Sequence, residues 1–210
     1  QKCSAQSILF VHENWEKDLI PRLAELASKR KLKDLDIGPV LTWSNSQIKD
    51  HLNSLLKIKG SKLLFGGKEL SDHSIPVIYG SIQPTAVKVP IQELLTTNFE
   101  LITKEVFGPF QVVVSYSDKE IDQMKEILEK ITQNLTAAIV SDDTFFQQDI
   151  LANTINGTTY TGMKARTTGA PQNHWFGPSG DPRSAGIGTP EAIINTWSAH
   201  REIIKDTGPQ

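Results

Sequence analysis

The sequence predicts an α/β fold in which a largely parallel sheet is flanked by helices, with a glycine- and proline-rich loop and a C-terminal helix and tail. Three observations lead to this fold class. Short apolar runs alternate with amphipathic helical stretches, which favours parallel strands joined by helical crossovers. Hydrophobic residues make up 38% and charged residues 22% of the chain, which is an ordinary globular composition. The length of 210 residues suits one large domain, or a domain with an appendage.

The chain opens with a strand and a helix. Residues 7–12 form a short apolar run that is typical of a buried strand. Asn14 is the expected cap of a helix that continues to about Arg30. Pro21 lies inside this stretch, and we expect it to break or restart the helix because proline cannot donate the helical hydrogen bond.

A second helix and two strands follow. Ser44 or Asn45 is the expected cap of a helix to about Lys57, with apolar residues at helical spacing on one face. Residues 63–65 are apolar and residues 85–89 are strand-like, so both predict short strands.

The second half of the chain alternates more clearly between strands and helices. It predicts strands at 111–115, 136–140 and 158–160, and helices from Asp118 to about Gln133 and from the cap Ser141-Asp142-Asp143 to about Ala152. This order again favours a largely parallel sheet.

Residues 162–190 differ from the rest because glycine and proline recur throughout them. Such a stretch does not form regular structure, and a long ordered loop in a compact domain is usually functional. Thr189 is the expected cap of a last helix, with Pro190 at its first position and Glu191 in its first turn. We expect this helix to continue to about Lys205.

Charge and composition exclude several classes of partner. The chain carries 22 Lys and Arg against 24 Asp and Glu, a net charge of −2, which gives no electrostatic reason to expect nucleic acid or an anionic membrane. No run approaches the roughly 18 apolar residues of a spanning helix. The five histidines show no ligand spacing with one another or with cysteine, so no metal site is expected.

The single cysteine, Cys3, excludes an internal disulfide and favours a reducing compartment. A lone cysteine is most often a small buried hydrophobic residue. Cys3 instead follows Gln1-Lys2 in a polar stretch, which is typical of an accessible thiol. The chain also begins as if cut through a motif, so we expect it to be a piece of a longer protein.

Two near-matches to phosphate-binding motifs are discarded. In Gly66-Gly67-Lys68, Glu69 follows where a P-loop needs Ser or Thr. In Gly186-Ile187-Gly188, Glu191 stands where a dinucleotide fingerprint needs its last glycine, and no strand precedes the motif.

An acidic and an aromatic residue, Glu105 and Phe107, lie two positions apart in the segment EVFGPF, just before the strand at 111. Residues two apart in an extended segment point the same way. A carboxylate beside an aromatic face suits a ribose and a flat ring, although the segment alone also reads as a turn with one core phenylalanine.

Together these segments resemble the aldehyde dehydrogenase family. Gln1-Lys2-Cys3 resembles the end of its active-site motif G-Q-x-C, and Glu105 to Pro109 resembles its E-x-F-G-P motif. Gly66-Gly67, Pro84-Thr85 and the segment 135–138 fall in the order and spacing of its other signatures. The long segment 164–178, together with Cys3-Ser4 and 186–192, is similar to the plant-type Δ1-pyrroline-5-carboxylate dehydrogenases.

The resemblance implies a NAD⁺-dependent oxidation of L-glutamate γ-semialdehyde to L-glutamate. It implies that Cys3 is the nucleophile, and that Glu105 and Phe107 contact the ribose and the nicotinamide of NAD. Ser4 and the loop Gly186-Ile187-Gly188 are expected to bind the substrate carboxylate, the loop through its backbone N–H groups; Ser184 is a weaker candidate.

The resemblance also implies the context of the chain. Residues 1–188 would be the catalytic domain and 189–210 the C-terminal helix and tail. The dinucleotide-binding domain, the general-base glutamate and the oxyanion asparagine of this family precede the cysteine, so they are expected upstream. A homo-oligomer and the mitochondrial matrix are implied in the same way. Other hypotheses remain open: a related dehydrogenase for another semialdehyde, or a non-catalytic interaction module in which Cys3 is merely exposed.

Overall fold

A computed structural model describes residues 1–167, 174–181, 183–205 and 208. The part of the 164–178 motif from Thr168 to Asn173, and the last residues of the expected tail, lie outside the described residues. The helices and strands, in chain order, are β1 (Ile8–His12), α1 (Glu13–Ser28), α2 (Asn45–Lys57), β2 (Lys62–Phe65), β3 (Thr85–Lys88), α3 (Phe99–Thr103), β4 (Phe110–Tyr116), α4 (Ile121–Lys130), β5 (Thr136–Ile139), α5 (Thr144–Ala152), β6 (Thr158–Thr161) and α6 (Pro190–Trp197).

The strands confirm the predicted α/β class. Four of them form a sheet in the order β1-β4-β3-β2, in which β1 and β3 run parallel to β4, and β2 is antiparallel to β3. A second sheet consists of β5 and β6, which are parallel. The predicted strands of both halves are therefore present, each within a residue or two of its expected limits.

The chain divides into two compact units. The first consists of residues 1–132 and 149–154, and it contains the four-stranded sheet with α1 to α4. Its core includes Val11, Ala86 and Val113 from three neighbouring strands, with residues such as Leu19 and Ile20 of α1 packed against them. The second unit consists of residues 133–148 and 155–210, and it contains the β5-β6 sheet and α6.

The prediction that Pro21 interrupts the first helix is wrong, because α1 is continuous through it. The carbonyl group that loses its donor belongs to Lys17, an exposed residue, so water can take the place of the missing N–H. The cap also differs: the Nδ1 atom of His12 accepts the N–H of Asn14 at 3.3 Å.

Other boundaries follow the local hydrogen bonds. Ser44, one of the two predicted caps, begins α2: its hydroxyl oxygen accepts the N–H of Gln47, and its own N–H donates to the side-chain oxygen of Gln47. The turn before α4 starts at Ser117, one residue before the expected Asp118, and α4 ends at Lys130. Thr189 and Pro190 begin α6 as predicted, but this helix ends at Trp197 rather than near Lys205. No described helix is long and apolar enough to cross a membrane.

Candidate active site

Cys3 lies in a tight turn just before β1. The N–H of Ala5 donates to the carbonyl oxygen of Lys2 at 2.8 Å and closes the turn. Cys3 is exposed, whereas Ser4 beside it is only 1% exposed. A small molecule can therefore reach the thiol, which is the first requirement of a nucleophile.

The sheet places the Cys3 turn and the segment Glu105–Pro109, called here the 105–109 loop, at one edge. The turn precedes β1 and the loop precedes β4, and these strands are neighbours that run parallel. The N–H of Val112 donates to the carbonyl oxygen of Ser7 at 3.0 Å, which continues the pairing back toward both segments. Segments that lead into adjacent parallel strands begin at the same edge of a sheet.

A short stretch, Pro39-Val40-Leu41, contacts both segments. The side-chain amide of Gln1 donates to the carbonyl oxygen of Pro39, and its oxygen accepts the N–H of Leu41 at 2.9 Å. Val40 is fully buried and packs on Gly108 of the 105–109 loop. A Cβ atom at position 108 would lie 2.5 Å from Cγ2 of Val40, so this close approach requires glycine.

The carboxyl group of Glu105 is partly desolvated. Glu105 is exposed, but nearby protein atoms cover its carboxyl group enough to raise its pKa. Phe107 lies two residues further on and is half-buried.

The hydroxyl group of Ser4 is buried and has no hydrogen-bond partner within the part of the chain that the structure describes. An unsatisfied buried polar group costs about 1–3 kcal/mol, so it is an unusual feature beside a candidate nucleophile. A substrate carboxylate could satisfy this hydroxyl if the atoms that cover Ser4 move aside.

The predicted anchor loop, Gly186-Ile187-Gly188, lies in the second unit. Ile187 and Phe176 exchange two backbone hydrogen bonds, each of 2.8 Å, and the N–H of Gly186 donates to the hydroxyl oxygen of Thr196 at 3.0 Å. Two of the three expected N–H donors are therefore occupied. Of the three N–H groups in this loop, only that of Gly188 donates no hydrogen bond to another described residue, and the φ of +94° at this position favours glycine.

Four of the predicted site residues therefore lie in segments that precede neighbouring strands. Cys3, Ser4, Glu105 and Phe107 belong to the first unit and to segments at one edge of its sheet. The loop 186–188 belongs to the second unit, so its role in binding the substrate stays a prediction. Ser184, the weaker candidate, has a φ of +52°, and its carbonyl oxygen accepts the indole N–H of Trp175 at 2.9 Å.

Sequence reasoning missed the residues that hold this site in place. Gln1 was noted only as part of the motif that ends at Cys3, and its contact with Leu41 joins positions 40 apart. Val40 carried no signal, because its contact with Gly108 joins positions that are distant in the chain. His51 was passed over as one of five scattered histidines. Its position on the apolar face of α2, three residues after Ile48 and four before Leu55, could have indicated that it is buried. Among the described residues, no group of acidic, histidine or cysteine side chains could hold a metal ion.

Comparison with known proteins shows the family to which the chain belongs. The model of the aldehyde dehydrogenase family matches residues 1–186. Over its whole length the chain is 63% identical to a probable aldehyde dehydrogenase of Linum usitatissimum, and 61% identical to Δ1-pyrroline-5-carboxylate dehydrogenase 12A1, mitochondrial, of Arabidopsis thaliana. The chain spans 38% of the length of each of these relatives.

A solved structure shares the fold. The crystal structure of PnpE in complex with nicotinamide adenine dinucleotide aligns with 93% of the chain at a TM-score of 0.65 and 18% identity, and the chain covers 39% of it. At this identity the likeness concerns the fold alone, and it agrees with the α/β architecture described above.

Proposed function

Because the chain belongs to the aldehyde dehydrogenase family, we propose that it is the catalytic half of a NAD⁺-dependent dehydrogenase that oxidises L-glutamate γ-semialdehyde to L-glutamate. The choice of this substrate rests on the 61% identity, over the whole length of the chain, to a protein named Δ1-pyrroline-5-carboxylate dehydrogenase. The semialdehyde is the open form of pyrroline-5-carboxylate. The same relative is named mitochondrial, which supports the mitochondrial matrix as the location.

Cys3 is the nucleophile in this proposal. Its thiolate attacks the aldehyde carbon, a C–S bond forms, and negative charge develops on the aldehyde oxygen. The backbone N–H of Cys3 donates no hydrogen bond within the described chain, so it is available to that oxygen. The second donor for the oxygen is expected from outside these 210 residues.

The 105–109 loop fits the nicotinamide end of the cofactor. Glu105 presents an exposed carboxylate that can accept bonds from the vicinal hydroxyl groups of a ribose, and Phe107 offers a half-buried ring two residues away. Bound NAD⁺ would supply the acceptor for the hydride that leaves the substrate carbon. Loss of that hydride leaves a thioester on Cys3, and attack by water breaks the C–S bond, releasing glutamate and the free thiol.

The substrate carboxylate needs hydrogen-bond donors at a distance from the aldehyde. Ser4, in the first unit, carries a hydroxyl that has no partner among the described residues and lies beside the nucleophile. This group supports a substrate that is both an aldehyde and a carboxylate, since a simple aldehyde would leave the hydroxyl unpaired. In the second unit, the backbone N–H of Gly188 is a separate candidate donor.

Ser4→Ala in the full-length protein tests this substrate. We expect kcat/KM for L-glutamate γ-semialdehyde to fall about 10-fold to 100-fold, because one charge-assisted hydrogen bond is lost. We expect little change with propanal, which has no carboxylate. The matched control is Ser46→Ala, at an exposed position on α2. An equal loss with both aldehydes would reject Ser4 as a carboxylate ligand.

A further inference from the structure

Two aromatic rings outside the predicted site, Trp43 and His51, pack against each other in the first unit. Their ring centroids are 5.4 Å apart, with 60° between the ring planes. Trp43 stands just before the cap of α2, and His51 lies in the middle of that helix. The pair therefore joins the start of α2 to its buried face.

The same pair contacts both ends of the 105–109 loop. The ammonium nitrogen of Lys104, the residue before the loop, lies over the Trp43 ring at 5.1 Å from its centroid. The ring of Phe110, the residue after the loop, lies 5.6 Å from the His51 ring. Glu105 and Phe107 are thus bracketed by two residues that rest on one aromatic pair.

His51 acts in this cluster as a ring rather than as a charge. It is 6% exposed, and burial together with the nearby Lys104 lowers its pKa to about 4, so it is neutral near pH 7. Its Nε2 atom is buried and has no hydrogen-bond partner within the described chain. Phenylalanine should therefore replace it without losing any hydrogen bond of that atom.

We propose that Trp43 and His51 are positioning residues for cofactor binding, which act by holding the 105–109 loop through Lys104 and Phe110. The inference rests on the proposed contact of Glu105 and Phe107 with NAD. A loop held at both ends keeps the carboxylate and the ring at one separation and orientation, whereas a loop released at one end must be ordered each time the cofactor binds.

The first experiment compares three substitutions in the full-length protein. His51→Ala removes the ring, and we expect the KM for NAD⁺ to rise about 10-fold while the KM for the aldehyde stays within about twofold. The reason is that a displaced 105–109 loop would weaken binding of the cofactor but not binding of the aldehyde. His51→Phe keeps a ring, and we expect it to restore the KM for NAD⁺. Leu56→Ala, at a half-buried position near the end of the same helix, controls for a general loss of stability.

The second experiment uses Lys104, an exposed residue whose replacement should not prevent folding. We expect Lys104→Ala to raise the KM for NAD⁺ about two- to fivefold, as loss of one exposed cation–π contact would. If Lys104 acts through the Trp43 ring, Lys104→Ala causes no further rise in the KM for NAD⁺ in a protein that already carries Trp43→Ala. A double-mutant cycle measures this directly. Additive effects would instead show that Lys104 acts on the cofactor by its charge alone, and would overturn the proposal.

Glu105→Ala in the same assay separates the two proposals. If Glu105→Ala leaves the KM for NAD⁺ unchanged, the cofactor role of the loop is rejected, and the positioning role is rejected with it. If Glu105→Ala raises the KM but His51→Ala does not, or does so no more than Leu56→Ala, only the positioning role is overturned. If Glu105→Ala and His51→Ala both raise it and His51→Phe restores it, both proposals are supported.

Discussion

At the scale of single residues, two neighbours with different exposure define the candidate site. The thiol of Cys3 is open to solvent, and the hydroxyl of Ser4 is buried and has no partner among the residues that the structure describes. Both residues occupy the centre of the Lys2–Ala5 turn. Sequence reasoning named both residues, but it could not know that only one of them is accessible.

Replacing Cys3 tests the nucleophile. We expect Cys3→Ala in the full-length protein to abolish aldehyde oxidation, with a loss of roughly a thousandfold or more, because no covalent adduct can form. The thermal midpoint should stay the same, since the side chain is exposed and supports no packing. Steady-state NADH formation and a thermal melt measure the two effects. Iodoacetamide labelling of Cys3 that leaves activity intact would favour the non-catalytic interaction module.

At the scale of elements, α1 is attached to the sheet by a polar cluster. Glu16 of α1 pairs with Lys88 of β3 and accepts the hydroxyl of Ser115 of β4 at 2.8 Å. Both charged side chains are about three-quarters covered, with 25% exposure for Glu16 and 21% for Lys88. The bond from Lys88 is the main reason that the pKa of Glu16 lies below its usual value.

We expect Glu16→Gln to lower the free energy of unfolding by about 1–2 kcal/mol at pH 7, because charge-assisted hydrogen bonds weaken and Lys88 loses its partner. Urea denaturation measures this change. The control is Glu25→Gln on the same helix, where an exposed carboxylate pairs with Lys29 at 2.6 Å and contributes little to stability.

The pH dependence of this pair follows from the lowered pKa. The unfolded chain takes up the proton near the ordinary value of 4.5, before the folded chain does, so protonation favours unfolding. The contribution of Glu16 is fully present above about pH 5 and is lost as the pH falls through its lower folded pKa. The difference between the wild type and Glu16→Gln should therefore shrink toward pH 3. A difference that does not change with pH would contradict the assignment.

In the second unit, a single glycine lets two segments meet. A Cβ atom at Gly157, just before β6, would lie 1.9 Å from the carbonyl oxygen of Gly177. We expect Gly157→Ala to lower the free energy of unfolding by about 1–3 kcal/mol, because backbone must move to relieve the overlap. Gly38→Ala is the control, since Gly38 has open space around it. Denaturation curves that coincide for the two variants would contradict this prediction.

At the scale of the whole molecule, the chain has two compact units and spans 38% of the length of the relatives it matches. The proposed reaction also needs a dinucleotide-binding domain, a general base and a second oxyanion donor. The family resemblance predicts that all three precede Cys3 in the full-length protein.

We therefore expect the isolated 210 residues to bind NAD⁺ weakly and to form no NADH with L-glutamate γ-semialdehyde. Isothermal titration calorimetry with NAD⁺ and a fixed-time assay for NADH measure the two outcomes. The full-length protein, assayed in parallel, is the positive control. Dehydrogenase activity from the isolated chain would show that the missing groups are not required.

The sequence by itself determined the fold class, the order of the strands and helices, and Cys3, Glu105 and Phe107 as candidates. These features depend on local patterns: alternating apolar runs, capping residues such as Ser44 and Thr189, and short motifs. The limits of elements were less predictable. Pro21 illustrates this, because whether a helix continues past a proline depends on whether the carbonyl group it leaves unbonded faces water.

Only the tertiary structure decided how the site is held. Contacts of Gln1 with the 39–41 stretch, of Val40 with Gly108, and of Trp43 and His51 with the flanks of the 105–109 loop join residues up to 68 positions apart. It also decided that Ser4 is buried and that two N–H groups of the 186–188 loop are already bonded. Contacts between residues that are distant in the chain depend on how the helices and strands pack together. A local sequence pattern does not specify that packing.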